Sequence, residues 1–254
     1  MADEPARLAG DELARFLELL KDVDKVELKL TVPDSERSAT ATALNLDPLD
    51  GEIRQVFFFD TSDLVLQGAG VVVRARRIKP EGDSVVKLRP VVPSELPAEL
   101  RRSPSFGTEV DAMPGGFVCS ASMAGRANTA EVKEVAAGQR PLQKLFTKDQ
   151  RQFYTAHAPE GLALNDLATL GPITVFKLKF TPPELGRRMV AEQWHYPDGT
   201  RILELSTKCA PAEAFQAAAE TRSFLEQRGI SLSGEQQAKT RTALEFFAKP
   251  LRKA

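Results

Sequence analysis

The chain alternates hydrophobic and polar residues over most of its length, and helical spacing is confined to its two ends. Residues 11–21 repeat apolar side chains every three or four positions, which predicts a short N-terminal helix. From Lys25 to about Ser206 the period is two residues, and turn-forming clusters interrupt it. This pattern predicts a series of short β-strands.

Helical spacing returns after Ser206. One predicted helix follows Pro211 and ends at Gly229. A second begins with a capping box formed by Ser233 and Gln236 and extends to about Ala248. Neither an internal repeat nor a low-complexity linker is apparent, so a single domain is expected. Its parts are a helical extension (1–23), strands and inserts (24–207) and C-terminal helices (208–254).

Three inserts interrupt the strand pattern. Residues 197–199 (Pro-Asp-Gly) predict a hairpin turn, and the proline- and serine-rich residues 90–106 predict a loop. Residues 112–140 are mixed, and AEVKEVAAG within them has helical character. Whether the N-terminal helix closes one end of the sheet or packs outside it remains open at this point.

The polar face of seven predicted strands is almost purely ionic. One such face is usually solvated, but seven together favour a sheet that closes on itself and directs its charges inward. The apolar faces would then point outward, beneath the terminal helices. The inward cations would be Lys25, Lys29, Arg74, Arg76, Lys87, Arg89, Arg151, Lys177, Lys179 and Arg188, and the inward carboxylates Glu27, Glu109, Asp111, Glu192 and Glu204.

Confined cations need counter-ions, because like charges about 4 Å apart repel by roughly 1–4 kcal/mol even at wet or surface-like dielectrics. A bound polyanion would supply them, and arginine suits bidentate phosphate contacts. The separated carboxylates suit Mg²⁺ or Mn²⁺, which proteins usually bind through one or two carboxylates together with substrate phosphates. The pattern therefore predicts a site for a metal–polyphosphate.

The overall composition narrows the class of partner. Lys plus Arg (34) and Asp plus Glu (35) nearly cancel, so no global field favours nucleic acid or an anionic membrane. Two cysteines, Cys119 and Cys209, do not make a disulfide framework, which suits a reducing compartment. We therefore expect a cytoplasmic protein with a small-molecule ligand, and we leave open whether it forms a homodimer.

Three segments resemble the CYTH superfamily, which includes class IV adenylyl cyclases, thiamine-triphosphatases and inorganic triphosphatases. They are VELKL, FFFDTSDLVLQGAGVVVRARR and VVKLR. The resemblance covers about residues 25–245. It implies an α+β fold in which a closed eight-stranded antiparallel β-tunnel is covered by helices from both termini.

The resemblance also implies residue roles. Metal ligands would be Glu27, Glu192 and Glu204, with possible help from Glu109 or Asp111, and phosphate ligands would include Lys29, Arg74, Arg76, Lys87, Arg151 and Lys239. Two positions depart from the family pattern. Lys25 stands where the family has the first glutamate of its opening signature, and Ser206 stands where it has the last acid of its final Glu-x-Glu. Each change weakens the metal site, and Lys25 could instead contact phosphate.

Three functions are compatible with this pattern. The first is a metal-dependent triphosphatase in which Lys29 and Arg74 stabilise the transition state and Glu192 orients water. The second is a non-catalytic module that binds a polyphosphate or nucleoside triphosphate in a degenerate site, with one metal or none. The third is an adenylyl cyclase, which needs a base pocket that nothing in the sequence identifies. Trp194 could stack on a base, but filling the end of the tunnel is the favoured interpretation.

Overall fold

A computed structural model of the chain describes residues 10–232, 236 and 239–251. The described residues form nine strands that close into one barrel. In chain order they are β1 (Lys25–Val32), β2 (Glu52–Asp60), β3 (Val71–Arg77), β4 (Gly82–Leu88), β5 (Phe106–Met113), β6 (Gly116–Ala127), β7 (Ala168–Phe180), β8 (Met189–His195) and β9 (Arg201–Cys209). Around the barrel the order is β1-β5-β6-β4-β3-β2-β7-β8-β9, with β9 returning to β1.

The predicted closed α+β barrel is confirmed, but eight antiparallel strands is wrong. There are nine strands, and β1 pairs with β5 in parallel, from Lys25 opposite Glu109 to Leu28 opposite Ala112. The pattern missed β6 because its inner face carries Ser120 and Ser122 in place of charges. Alternation of polar and apolar residues indicates that a segment is a strand, but it does not indicate whether the neighbouring strand runs parallel or antiparallel to it.

Seven α-helices in the described part of the chain accompany the barrel. They are α1 (Gly10–Leu20), α2 (Arg37–Ala43), α3 (Val65–Gly68), α4 (Thr129–Ala136), α5 (Lys148–His157), α6 (Ala214–Gln227) and α7 (Lys239–Leu251). The predicted N-terminal helix, the helix after Pro211 and the turn between β8 and β9 are confirmed. The last helix extends past the predicted end, through Pro250, and Ser233 of the predicted capping box lies outside the described residues.

The outer face of the barrel is apolar and covered by helices. α6 packs on β1, β8 and β9 through Phe224 and Leu225. α1 packs outside as well, where Phe16 contacts Phe117 of β6 and Phe215 of α6. α4 and α5 cover β3, β4 and β6.

None of the helices in the described ranges is long and apolar enough to cross a membrane.

The two ends of the barrel differ. At the end where β2 finishes and β3 begins, inward apolar side chains such as Phe58, Val72 and Trp194 form one cluster with Ala243 and Leu244 of α7. We call this the α7 end. At the opposite end β1 and β8 begin and β7 finishes, and the inner residues there are mostly charged. We call it the cationic end.

Candidate phosphate and metal site

Two arginines lie on the inner face of β3. The Arg76 guanidinium pairs with Asp83, directly opposite on β4, donating from Nε at 2.8 Å and from Nη2 at 2.6 Å. Arg74 makes no hydrogen bond or ion pair with another described residue, and its Nε is buried. Burial, followed by repulsion from Arg76, lowers the pKa of Arg74 to about 10. An arginine in this position needs an anion.

A second cluster surrounds Asp111 of β5, whose side chain is 0% exposed. Lys29 Nζ lies 2.8 Å from Oδ1, and Arg89 Nη1 and Lys87 Nζ lie 3.3 and 3.8 Å from Oδ2. Burial alone would raise the pKa of Asp111, but these three cations hold it well below its usual range. Burial lowers the pKa of Lys87 to about 8. Lys29 also lies 3.2 Å from Glu27, whereas Lys87 and Arg89 have Asp111 as their one ion-pair partner among the described residues.

Three acids meet next to this cluster. Glu27, Glu109 and Asp111 each offer an oxygen, and these oxygens all lie within 4.8 Å of one another. Lys208 of β9 contacts Glu109 and lies 3.7 Å from Glu27. Burial, followed by the neighbouring Glu27 charge, raises the pKa of Glu109, and the contact with Lys208 offsets this only in part.

The other two predicted metal ligands form a separate group. Glu192 and Glu204 face each other across β8 and β9, and Lys239 at the start of α7 lies 2.6 Å from both. Lys177 adds a contact to Glu192 at 2.9 Å. Burial would raise the pKa of Glu192, but the two lysines hold it well below its usual value. The five predicted metal ligands are therefore split between two groups, each bridged by a lysine.

Three predicted phosphate ligands lie at the cationic end. Lys25 begins β1, Lys179 comes just before the end of β7, and Arg188 immediately precedes β8. All three are exposed, and none forms an ion pair with a residue of the described ranges. They are placed to meet an anion entering the barrel from this end.

The strand assignment of Arg151 is wrong. Arg151 lies on α5, outside the barrel, where it is exposed and donates a hydrogen bond to the Phe146 carbonyl. α5 is held there by Gln150, whose buried amide nitrogen donates to the Ser84 and Met123 carbonyls. Helix formation changes the side-chain period, so Arg151 cannot reach the interior.

Sequence reasoning also missed three interior charges. Asp83 and Lys208 have the same parity as predicted inward residues, and they lie two alternation steps before Lys87 and one step after Ser206, so extending the alternation would have found them. Arg54 lies on β2, is buried, and pairs with Glu52 at 3.0 Å. The phenylalanine run that follows Arg54 hid the inward parity of β2.

Comparison with known proteins shows the fold. No protein-family model matches the chain, and no curated protein matches it by sequence. Among solved structures, the chain is similar to the putative adenylyl cyclase HpAC1 from Hippeastrum, which is described as having a dominant triphosphatase activity. The TM-score is 0.62 at 17% sequence identity, and the match covers 84% of this chain and 92% of HpAC1. A putative adenylate cyclase from Bacillus halodurans has a TM-score of 0.59 at 13% identity, over 87% and 97%. The barrel is therefore CYTH-like in fold.

Proposed function

We propose that the barrel binds the phosphate chain of a small-molecule triphosphate or polyphosphate and hydrolyses it with a divalent metal. The observation that carries the proposal is Arg74, whose guanidinium has a buried Nε and no partner among the described residues, next to a second arginine. A phosphate chain supplies the missing anion, and arginine binds it bidentately. The fold shared with a triphosphatase supports the same interpretation.

The phosphate ligands would come from the inner faces of several strands. Arg74 and Arg76 would contact one part of the chain, and Lys29, Lys87 and Arg89 around Asp111 another. At the cationic end, the ligand would be attracted by Lys25, Lys179 and Arg188. The remaining two lysines pair with acids: Lys177 with Glu192, and Lys239 with both Glu192 and Glu204. Fixed cations around a phosphoryl group stabilise the charge that develops during its transfer.

The acids fit a metal at one of their two groups. Glu27, Glu109 and Asp111 present three oxygen donors within 4.8 Å of one another. Mg²⁺ or Mn²⁺ held by them would polarise a phosphate oxygen. Glu192 and Glu204 fit a metal less well, because Lys239 already lies between them. For Glu192 to orient water, one of its lysine contacts would have to open.

A non-catalytic binding module is the second candidate. The observation that favours it is the lysine in each acid group, together with Ser206, which faces Lys29 from β9 in place of an acid. Nothing comparable favours an adenylyl cyclase, since Trp194 stacks on Phe58 within the apolar cluster. A cytoplasmic location, homodimer formation and the absence of nucleic-acid partners remain predictions.

Phosphate release from tripolyphosphate, ATP and thiamine triphosphate, with Mg²⁺ and with Mn²⁺, tests the hydrolase proposal. We expect metal-dependent turnover that Arg74→Ala abolishes and that Arg151→Ala, on the outer helix, leaves unchanged. Charge-assisted hydrogen bonds contribute about 1.5–3 kcal/mol, so Arg74→Ala should weaken tripolyphosphate binding by roughly 10- to 150-fold in calorimetry.

The outcomes separate the two candidates. Binding that depends on Arg74 without any turnover would make this a binding module. Restoring the two acids, Lys25→Glu with Ser206→Glu, would then be expected to create metal-dependent hydrolysis. Tripolyphosphate binding that Arg74→Ala does not weaken would contradict both.

A further inference from the structure

Lys208 reaches the acid cluster from β9. Strand β1 lies between β5 and β9, so Lys208 approaches Glu27 from the side opposite to Glu109. Its Cα register partner is Glu27, and its ammonium contacts Glu109 while lying 3.7 Å from Glu27. The ammonium thus carries positive charge to the carboxylates that a divalent cation would need.

The two lysines differ in exposure: Lys208 is half exposed to solvent, whereas Lys239 is mostly enclosed. The Lys239 side chain is 14% exposed and lies 2.6 Å from both Glu192 and Glu204. The Lys208 side chain is 52% exposed, so its ammonium can move into solvent without any rearrangement of the barrel. Releasing a lysine to water also restores rotamer freedom, which makes its displacement inexpensive.

We propose that Lys208 is a tethered counter-ion that competes with a divalent metal for Glu27 and Glu109. Lys208 offsets part of the negative charge of the two carboxylates, and a metal enters only by displacing its ammonium. Lys29 keeps its contacts with Asp111 at 2.8 Å and with Glu27 at 3.2 Å throughout, because those ion pairs are enclosed. This proposal rests on the metal site of the proposed function and assigns its affinity to a residue outside the family signature.

Charge arithmetic sets the direction of the effect. A unit positive charge about 4 Å from a carboxylate opposes a divalent cation at the same carboxylate, and exposure to solvent reduces this repulsion without changing its sign. Removing the Lys208 charge should therefore strengthen metal binding at the cluster. The reverse would hold if Lys208 served only to keep Glu109 in position for the metal.

Mn²⁺ binding to the full-length protein, followed by electron paramagnetic resonance and calorimetry without phosphate ligands, tests this proposal. We expect Lys208→Met to bind Mn²⁺ about tenfold or more tightly than wild type. Lys208→Arg should stay close to wild type, and adding Glu109→Gln to Lys208→Met should remove the gain. Lys179→Met removes a charge from the same end of the barrel and should change affinity by less than about threefold.

Three results would overturn the proposal: unchanged or weaker Mn²⁺ binding by Lys208→Met, an equal gain in Lys179→Met, or no Mn²⁺ binding by wild type and Lys208→Met alike. Circular dichroism and thermal unfolding establish that each variant is folded. Tripolyphosphate binding by wild type in a chelator is measured in parallel. Its absence would contradict the proposed function while leaving the Mn²⁺ result to judge Lys208.

Discussion

Lys239 links the last helix to the interior of the barrel through two facing carboxylates. Replacing it by methionine keeps most of the side-chain volume and removes only the ammonium, which lies 2.6 Å from both Glu192 and Glu204. The two acids would then face each other across β8 and β9, with Lys177 as the remaining described cation in contact with Glu192. We expect Lys239→Met to destabilise the protein without changing its fold.

The magnitude follows from the burial of the three groups. Breaking a buried ion pair by removing one partner costs about 3–5 kcal/mol. Lys177 still compensates Glu192, so the lower end, about 3 kcal/mol, is expected. For a domain of about this size, 1 kcal/mol lowers the melting temperature by roughly 2–4 °C, which predicts a decrease of about 6–12 °C. Exposed Lys148→Met on α5 is the matched control and should change stability by less than about 0.5 kcal/mol.

Urea denaturation in the presence of a chelator measures the effect, because a chelator excludes rescue by a metal. Adding Glu204→Gln to Lys239→Met removes the carboxylate that is left without a lysine contact, while Glu192 keeps Lys177, and should restore about half of the loss. A loss below about 1 kcal/mol, or a double variant less stable than Lys239→Met, would refute the assignment of this contact as a main stabilising pair.

The pH dependence gives a second check on the same pair. In the wild type the pKa of Glu192 is below its ordinary value of 4.5, so its contribution to stability is present above about pH 4.5 and is lost as the pH falls through the folded-state pKa. Lys239→Met removes much of that contribution. The difference between the two proteins should therefore be largest at neutral pH and shrink in acid, as Glu192 becomes protonated.

Two further predictions concern binding and packing. Burial lowers the pKa of Lys87 to about 8, so tripolyphosphate should bind best below pH 8 and lose affinity as Lys87 is deprotonated above it. In calorimetry, Lys87→Arg should remove this pH dependence. A pH profile that Lys87→Arg leaves unchanged would contradict the assignment to Lys87. Gln150→Ala leaves the buried carbonyls of Ser84 and Met123 without their donor and should cost about 2–4 kcal/mol in urea denaturation. A cost below about 1 kcal/mol would mean that water replaces the amide.

Much of the site could be predicted from the sequence, because a strand places every second side chain on one face. The two-residue period of KVELKL, GVVVRARRI and SVVKLRP assigns Lys29, Arg74 and Lys87 to one side of the sheet before the location of that side is known. The excess of charge on that side then favours closure. These conclusions depend only on neighbouring residues in the chain.

The tertiary structure decided which charges meet. Lys208 and Glu109 are 99 positions apart, and their contact depends on β1 pairing with β5 on one side and β9 on the other. The split of the acids between Lys208 and Lys239 likewise depends on the barrel order and on where α7 enters. Alternation has no information on strand order or direction, because the same inward face is compatible with many pairings. For Arg151 the local pattern misled, since a helix packed outside the barrel replaced the expected strand.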